Sequence, residues 1–286
     1  FGLAVYLGTE GLEGYLKIQS SNSHPSFCGM IGLQRCLMAS FEDRGTLSHQ
    51  DRRLIKKLGL KFRGRNSWPL FRSYEPGYYP WYLTAKEARY LNHVLKQATE
   101  LSLRFRNDPE MLIPPLENHY LVRVPEETSE GLGWRDEWLE PEPVEREEPK
   151  LVALDEGRVR SFMKRCPKRC GSWEVDLCYL PMAVRENNER PYYPRIIIWV
   201  DHHSELILHH HILRSREYEQ EFVAQFFHLV KILGYLPEEI YFENKVLVRI
   251  LEPIASRLRI RLRQEDTLMG LEHVKEEILR FSQGYR

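Results

Sequence analysis

The sequence predicts an α+β domain followed by an α/β mixed-sheet domain with elements in the order β-β-β-α-β-α-β-α. Three observations carry this. The chain has 286 residues, and single domains commonly run about 100–200 residues, so two are expected. Its second half alternates apolar and polar residues with a period of two, then changes to helical spacing. Between the halves, residues 126–148 hold ten acidic residues and only two basic ones, Arg135 and Arg146. Pro125, Pro141, Pro143 and Pro149 lie in or beside that stretch. Like charges repel and proline blocks regular pairing, so residues 125–150 read as an acidic, proline-rich linker between domains at 1–124 and 151–286. Trp134, Trp138 and Leu139 interrupt it, which predicts that part of it docks on a domain.

The first domain opens on Phe1-Gly2-Leu3-Ala4-Val5-Tyr6-Leu7 with no Met, a strand entered at once, so residues upstream are expected. Residues 37–41 form a strand candidate. Ser48-x-x-Asp51 has the form of a capping box, in which a hydroxyl and an acid three residues on satisfy free N–H groups. Leu54, Ile55 and Leu58 give the helical stripe behind it, and Gly59 ends it. Residues 62–83, dense in aromatics, Pro and Gly, read as irregular strands and turns. Thr84-x-x-Glu87 is a second capping box. Ala88, Leu91, Leu95, Ala98 and Leu101 then recur at helix spacing over about 85–105.

In the second domain Trp173, Val175, Leu177 and Tyr179 alternate with Glu174, Asp176 and Cys178, which predicts a strand. Residues 195–200 are a continuous apolar run suited to a strand covered on both faces, and 206–213 return as a third strand. Phe222, Phe226, Val230 and Leu233 mark a helix stopped by Gly234. Residues 240–242 are a short strand. Val246, Leu247, Ile250 and Leu251 mark a helix that Pro253 is expected to kink or split. Residues 257–263 read as a strand, and Leu271, Val274, Ile278 and Phe281 as a last helix.

Composition narrows the function classes. Apolar residues make up 42% and charged residues 29%, ordinary for a chain with a real core. The formal net charge is zero, so only local charge can point to a polyanion. The longest apolar runs fall far short of the roughly 20 residues that a spanning helix needs, and no signal peptide is visible. No membrane partner is expected, and the predicted compartment is cytoplasmic. Five cysteines, an odd count, favour reduced thiols there. Cys166-x3-Cys170 with Cys178 has the form of a partial zinc site, but the missing fourth ligand favours free thiols.

The β-β-β-α-β-α-β-α order over about residues 170–286 resembles the ribonuclease-H-like fold, by topology only. The whole chain resembles a family of uncharacterised bacterial proteins carrying a paired domain of unknown function. The residues that carry this second likeness are Gly2-Leu3-Ala4-Val5-Tyr6-Leu7-Gly8, Phe62-Arg63-Gly64 and Trp68-Pro69-Leu70-Phe71-Arg72-Ser73-Tyr74-Glu75-Pro76-Gly77-Tyr78. That family brings no activity with it. Ribonuclease-H-like nucleases, by contrast, hold two metal ions with carboxylates from the first strand, the fourth strand and a helix. Carried over by position, the resemblance implies Asp176, with Glu174 on its face, and Glu243 as catalytic acids. The helical acid would be Glu219, Glu221, Glu276 or Glu277. The chain departs from the pattern in having Glu at the fourth strand and no single helical choice. A divalent metal is implied only under this reading.

Two further groups stand out. His202, His203, His209, His210 and His211, with Asp201 beside them, hold imidazole and carboxylate in the mixture that suits zinc, iron or nickel. The alternative is a polar strand face with one buried His. Residues 52–72 contain eight basic residues and no acidic one. Lys56, Lys57, Lys61, Arg63, Arg65 and Arg72 lie beside Phe62, Trp68, Phe71 and Tyr74, and cations with stacking rings are what single-strand binding uses. Arg158, Arg160, Lys164, Arg165, Lys168 and Arg169 form a second run. Arg257, Arg259, Arg261 and Arg263 alternate with apolar residues and would form a row on one strand face. Solvated faces, or neutralisation by the acidic linker, would explain the same charges. Trp68, Phe71, Tyr74, Tyr78, Tyr79, Trp81 and Tyr82 would line a groove or, more often, pack as core.

No Walker loop, G-x-G-x-x-G or G-x-S-x-G is present. The function best matched by the sequence is a non-enzymatic binding or adaptor protein that contacts nucleic acid through local basic faces. A metal-dependent nuclease-like or phosphoryl-transfer enzyme and a purely structural interaction protein are the alternatives.

Overall fold

The computed structural model describes residues 1–20, 27–129, 131–144, 156–187, 189–213 and 218–283. In chain order its elements are β1 (Gly2–Tyr6), α1 (Gly8–Ser20), α2 (Phe27–Leu33), β2 (Cys36–Glu42), α3 (His49–Lys57), β3 (Trp68–Tyr74), α4 (Ala85–Asn107), β4 (Tyr120–Thr128), β5 (Gly131–Leu139), α5 (Glu156–Arg165), β6 (Ser172–Tyr179), β7 (Arg195–Asp201), β8 (Ile207–Leu213), α6 (Glu219–Leu233), β9 (Glu239–Phe242), α7 (Val246–Leu258), β10 (Arg261–Gln264) and α8 (Met269–Gln283). Among the described residues no helix is long and apolar enough to cross a membrane. The chain divides into two compact units. The first comprises Phe1–His24, Leu33–Pro76 and Pro80–Arg146. The second comprises Pro25–Gly32, Gly77–Tyr79 and Glu147–Arg286.

In the first unit β1, β2 and β3 form an antiparallel sheet, with Val5 opposite Leu37 and Leu37 opposite Ser73. Both capping boxes form, Ser48 with Asp51 and Thr84 with Glu87. Each cap acid also ties its helix to the sheet. Glu87 accepts from the buried Ser73 hydroxyl at 2.7 Å, which seats α4. Asp51 takes two bonds from the Arg72 guanidinium at 3.0 and 2.6 Å, which seats α3. Arg72 lies over the Tyr82 ring at 4.9 Å, and the Tyr82 and Ser48 hydroxyls are 2.9 Å apart. Burial by itself raises the Asp51 pKa, but the Arg72 and Ser48 hydrogen bonds outweigh it and hold the carboxyl below its usual range. The expected apolar stripe of α3 is only partly used, since Ile55 is half-buried while Leu54 and Leu58 stay exposed.

The expected linker is corrected here. Residues 120–139 are a two-stranded antiparallel hairpin of β4 and β5, with Tyr120 opposite Leu139 and Thr128 opposite Gly131. Its acids do not repel freely. Asp136 faces Arg123 across the hairpin and binds Arg104 at 2.6 Å and Arg123 at 3.3 Å, while Arg135 pairs with Glu126 and Glu137. Pro125 is accommodated because a two-stranded ribbon has two edges, where a missing N–H costs no ladder bond. Of the rest of the expected linker, residues 140–144 carry no helix or strand, and residues 145–155, which also include the start of the expected second domain, lie outside the described residues.

The second unit is a five-stranded mixed sheet in the order β10-β9-β6-β7-β8. β6 pairs antiparallel with β7 and β7 with β8, whereas β9 runs parallel to β6 and β10 parallel to β9. Trp173, Val175, Ile197 and Trp199 face a core built with Phe222, Phe226 and Leu229 of α6 and Leu247, Leu251 and Ile254 of α7. On the opposite face Ile196, Ile198 and Val200 pack with Leu268, just before α8, and with Leu271 and Val274 of α8. Strand alternation thus sends Glu174 and Asp176 to the α8 face. Gly77, within the family-like motif, has φ +80, and a Cβ there would lie 3.0 Å from the Tyr179 hydroxyl. The motif therefore needs glycine for both backbone and space.

Two further expectations are corrected. α7 continues through Pro253 as one helix, because Leu247, Ile250, Leu251, Ile254, Ala255 and Leu258 keep a buried stripe along it. The strand expected at 257–263 is shorter as a result. Arg257 is helical, Arg259 is the left-handed cap with φ 53, and only Arg261 and Arg263 of the four stand on a strand. The row of four guanidinium groups does not form.

Candidate functional site

Four charged side chains converge between the sheet of the second unit and α8. Asp176 comes from the middle of β6, Glu243 from the residue after β9, and Glu272 and Lys275 from α8. The Lys275 Nζ lies 2.8 Å from Asp176 Oδ2, 3.0 Å from Glu243 Oε2 and 3.0 Å from Glu272 Oε1. Lys275 is 13% exposed and Asp176 8% as side chains. Burial by itself lowers the ammonium's pKa, but attraction and hydrogen bonds from Asp176 and Glu243 overcome that and hold it above the ordinary lysine range. The cation is therefore fixed between the two carboxylates.

Asp176 Oδ1 accepts from the Leu177 N–H in its own strand at 2.7 Å, while Glu243 and the neighbouring Glu174 reach the start of α8. Glu243 Oε1 accepts from the Leu268 N–H at 2.7 Å. Glu174, only 2% exposed, accepts from the Leu271 N–H at 3.0 Å through Oε2, while its Oε1 lies 2.7 Å from His202 Nδ1. Backbone N–H groups at a helix N-terminus are unsatisfied within the helix and carry partial positive charge, so carboxylates suit them. A Cβ on Gly270 would come within 2.9 Å of Glu174 Oε2 and 3.0 Å of Val200 Cγ1, so glycine is what lets this first turn close on β6. The His202 ring stacks on Tyr241 with centroids 4.3 Å apart and planes 6° from parallel, and the Tyr241 hydroxyl donates to Glu239 at 2.9 Å. Chemically, this arrangement fixes a cation, closes a helix onto a sheet and orients one imidazole.

The sequence brought Glu174, Asp176 and Glu243 to this place but missed Lys275, Glu272 and Gly270. The helical acids it offered lie elsewhere. Glu276 and Glu277 bind Arg280, and Glu221 lies 2.7 Å from His211 Nε2. The signal for Lys275 was its position four residues after Leu271 and next to Val274, inside the buried stripe of α8.

The histidine group separates. His209 and His211 share a face and meet Gln225 and Glu221 of α6 at 2.9 and 2.7 Å, whereas His202 meets Glu174, which belongs to the other face of the sheet. Asp201 closes the turn after β7, accepting from the Ser204 N–H and hydroxyl. Cys166 is buried, Cys170 exposed and Cys178 half-buried, all as free thiols. Among the described residues no group of three or more His, Cys, Asp or Glu is arranged to hold a metal ion.

The basic residues divide as well. Arg72 is consumed by Asp51. Arg261 and Arg263 bind Glu239 at 2.9 and 3.3 Å, and Arg257 donates to the Pro253 carbonyl at 3.1 Å. Arg169 caps α7 by donating to the Leu258 and Arg259 carbonyls. Lys56, Lys57, Lys61, Arg63 and Arg65 are exposed.

No curated protein matches the chain. Solved structures similar to part of the chain include the catalytic core domain of HTLV-2 integrase in complex with magnesium, in its dimeric form. It is 15% identical, over 40% of this chain and 70% of that one, with a TM-score of 0.30. The catalytic core domain of BIV integrase is 18% identical over 38% of this chain and 64% of that one, with a TM-score of 0.24. Likeness at that level carries no argument about this chain. Family models do match: residues 1–123 fit one domain of unknown function, DUF7309, and residues 158–279 fit another, DUF6930. The chain is thus a pairing of these two domains of unknown function.

Proposed function

We propose that the second unit is a ribonuclease-H-like module in which a lysine has taken the place of catalytic metal, and that the protein works by binding rather than by hydrolysis. The sheet order β10-β9-β6-β7-β8, with three antiparallel strands and two added parallel, supports the fold part of this reading. The observation that carries the functional part is the Lys275 ammonium held within 2.8–3.0 Å of Asp176 and Glu243, the acids that such a fold would use. Two-metal hydrolysis needs those carboxylates on cations that also reach the attacking and leaving oxygens. An ammonium gives the carboxylates a counter-charge but presents no open coordination position. Magnesium would need carboxylate oxygens at about 2.0–2.1 Å. Seating it would require ejecting a buried lysine whose proton is held more tightly than usual, and loosening the bonds that close α8.

Hydrolysis of labelled single- and double-stranded DNA and RNA, with magnesium or manganese, tests this. The expected result is no metal-dependent cleavage by the wild type above an Asp176→Asn background. Cleavage by the wild type that Asp176→Asn or Glu243→Gln abolishes would overturn the reading.

A further inference from the structure

We propose that the segment joining α3 to β3, with the end of β2 beside it, is a binding surface for single-stranded nucleic acid. This deepens the binding reading above, but it concerns the first unit and does not depend on Lys275.

The first observation is unanswered charge. Lys56, Lys57, Lys61, Arg63 and Arg65 are all exposed, and none forms an ion pair among the described residues. The acid within this region's reach of α3, Asp51, is already spent on Arg72. The acids of the β4–β5 hairpin that pair do so with Arg104, Arg123 and Arg135, so among the described residues they do not neutralise this run. Glu42 and Asp43 are the acids at this end of β2, and Asp43 is engaged by the Asn66 N–H at 2.9 Å.

The second observation is independent of charge. Arg44, distant in sequence, lies over the Trp68 ring at 5.7 Å, and Phe62 meets the same ring at 6.0 Å with planes 57° apart. One cation, Arg44, and two rings therefore share one place, and Lys61 and Arg63 flank Phe62 in the chain. The loop is also preformed. Gly64 (φ +104) and Asn66 (φ 49) make the turn, the Asn66 bond ties it to β2, and the Ser67 hydroxyl donates to the Arg65 carbonyl at 3.0 Å. Arg63 and Arg65 are thus presented by a fixed turn.

Cations that track phosphates, beside rings on which bases stack, fit a single strand. A duplex would engage the cations but hide its base faces from Trp68 and Phe62. An anionic membrane would instead use Leu54, Leu58 and Leu60, which are exposed. On the α3 wheel, however, Leu54 and Leu58 border Asp51 and Ile55, the side that seats the helix. The opposite arc is Arg52, Arg53, Lys56 and Lys57. The charged and aromatic groups, not the leucines, face the partner.

Fluorescence anisotropy with a labelled dT20 strand tests this on the full chain at several salt concentrations. Saturable binding is expected, with a log–log salt slope of about −3 to −4 if five phosphates are contacted at roughly 0.7 per contact. Arg63→Glu with Arg65→Glu should weaken binding at least tenfold, and Trp68→Phe severalfold. Arg261→Glu with Arg263→Glu should leave it near wild type. Circular dichroism on each variant separates lost binding from lost folding, and the paired surface change Lys56→Glu with Lys57→Glu serves should Trp68→Phe unfold. Absence of dT20 binding, binding indifferent to Arg63 and Arg65, or a same-length duplex bound tighter than dT20 would each overturn the proposal. So would retention on phosphatidylcholine–phosphatidylglycerol vesicles or polyglutamate without dT20 binding. Cleavage of the strand in these samples would sink the reading of the second unit and leave this surface standing, whereas lost binding would leave the Lys275 reading standing.

Discussion

The molecule treats its two concentrations of charge in opposite ways. In the second unit, Asp176 and Glu243 close on Lys275 at the α8 interface with Glu272 at its rim, and the second oxygens of Asp176 and Glu243 accept from the Leu177 and Leu268 N–H groups. In the first, the cations of residues 56–65 stand on a rigid turn in water with no counter-ion among the described residues. A buried charge costs too much to leave unpaired, so a buried cluster is satisfied and its residues hold the fold together. An exposed charge costs little, so it is available for a partner. Position decides which acids and bases are structural and which are spare, and formal charge does not.

That contrast can be broken or sharpened by substitution. Lys275→Met should have the largest effect, about 3–5 kcal/mol of lost stability, because it leaves buried carboxylates unpaired. A urea denaturation midpoint reads it, and a loss under about 1 kcal/mol would mean that the cluster is loosely hydrated. Gly270→Val comes next. Its side chain would press on Glu174 and Val200, and overpacking of this kind costs about 1–3 kcal/mol, visible in a thermal melt.

Asp51 gives a pH test. Its folded pKa lies below the ordinary value, so its contribution is present above the unfolded pKa, near about 3.9, and is lost as pH falls through the folded one. Asp51→Asn should flatten that acid limb of the stability profile, and an unchanged limb would show that the Arg72 bond is not stabilising. Lys56→Glu with Lys57→Glu should change stability by no more than about 0.5 kcal/mol. A larger loss would show that those lysines are structural after all.

Much of the fold was legible in the sequence because its signals are local. Ser48 with Asp51, and Thr84 with Glu87, act across three residues, and both boxes form. The alternation of β6 put Glu174 and Asp176 on one face. What failed depended on partners far along the chain. Composition made residues 125–139 look like a linker, because it could not show Arg104 and Arg123 reaching Asp136. The alternation of Arg257, Arg259, Arg261 and Arg263 suggested a strand, yet Leu258 completes the helical stripe of α7 and ends it on a left-handed Arg259. Lys275 was invisible as a site residue, since its meaning comes from three elements meeting: β6, the residue after β9 and α8. For the same reason Arg72 looked like a phosphate ligand until Asp51 was seen beneath it.

The most direct measurement is a manganese titration followed by amide NMR on the uniformly labelled protein. Paramagnetic manganese broadens the signals of residues near any site where it binds. With Lys275 holding the carboxylates, the signals of Asp176, Glu243, Leu271 and Lys275 should broaden no more than those of other residues. Selective, saturable broadening at those four positions would show that metal enters where the lysine sits, and would contradict the account.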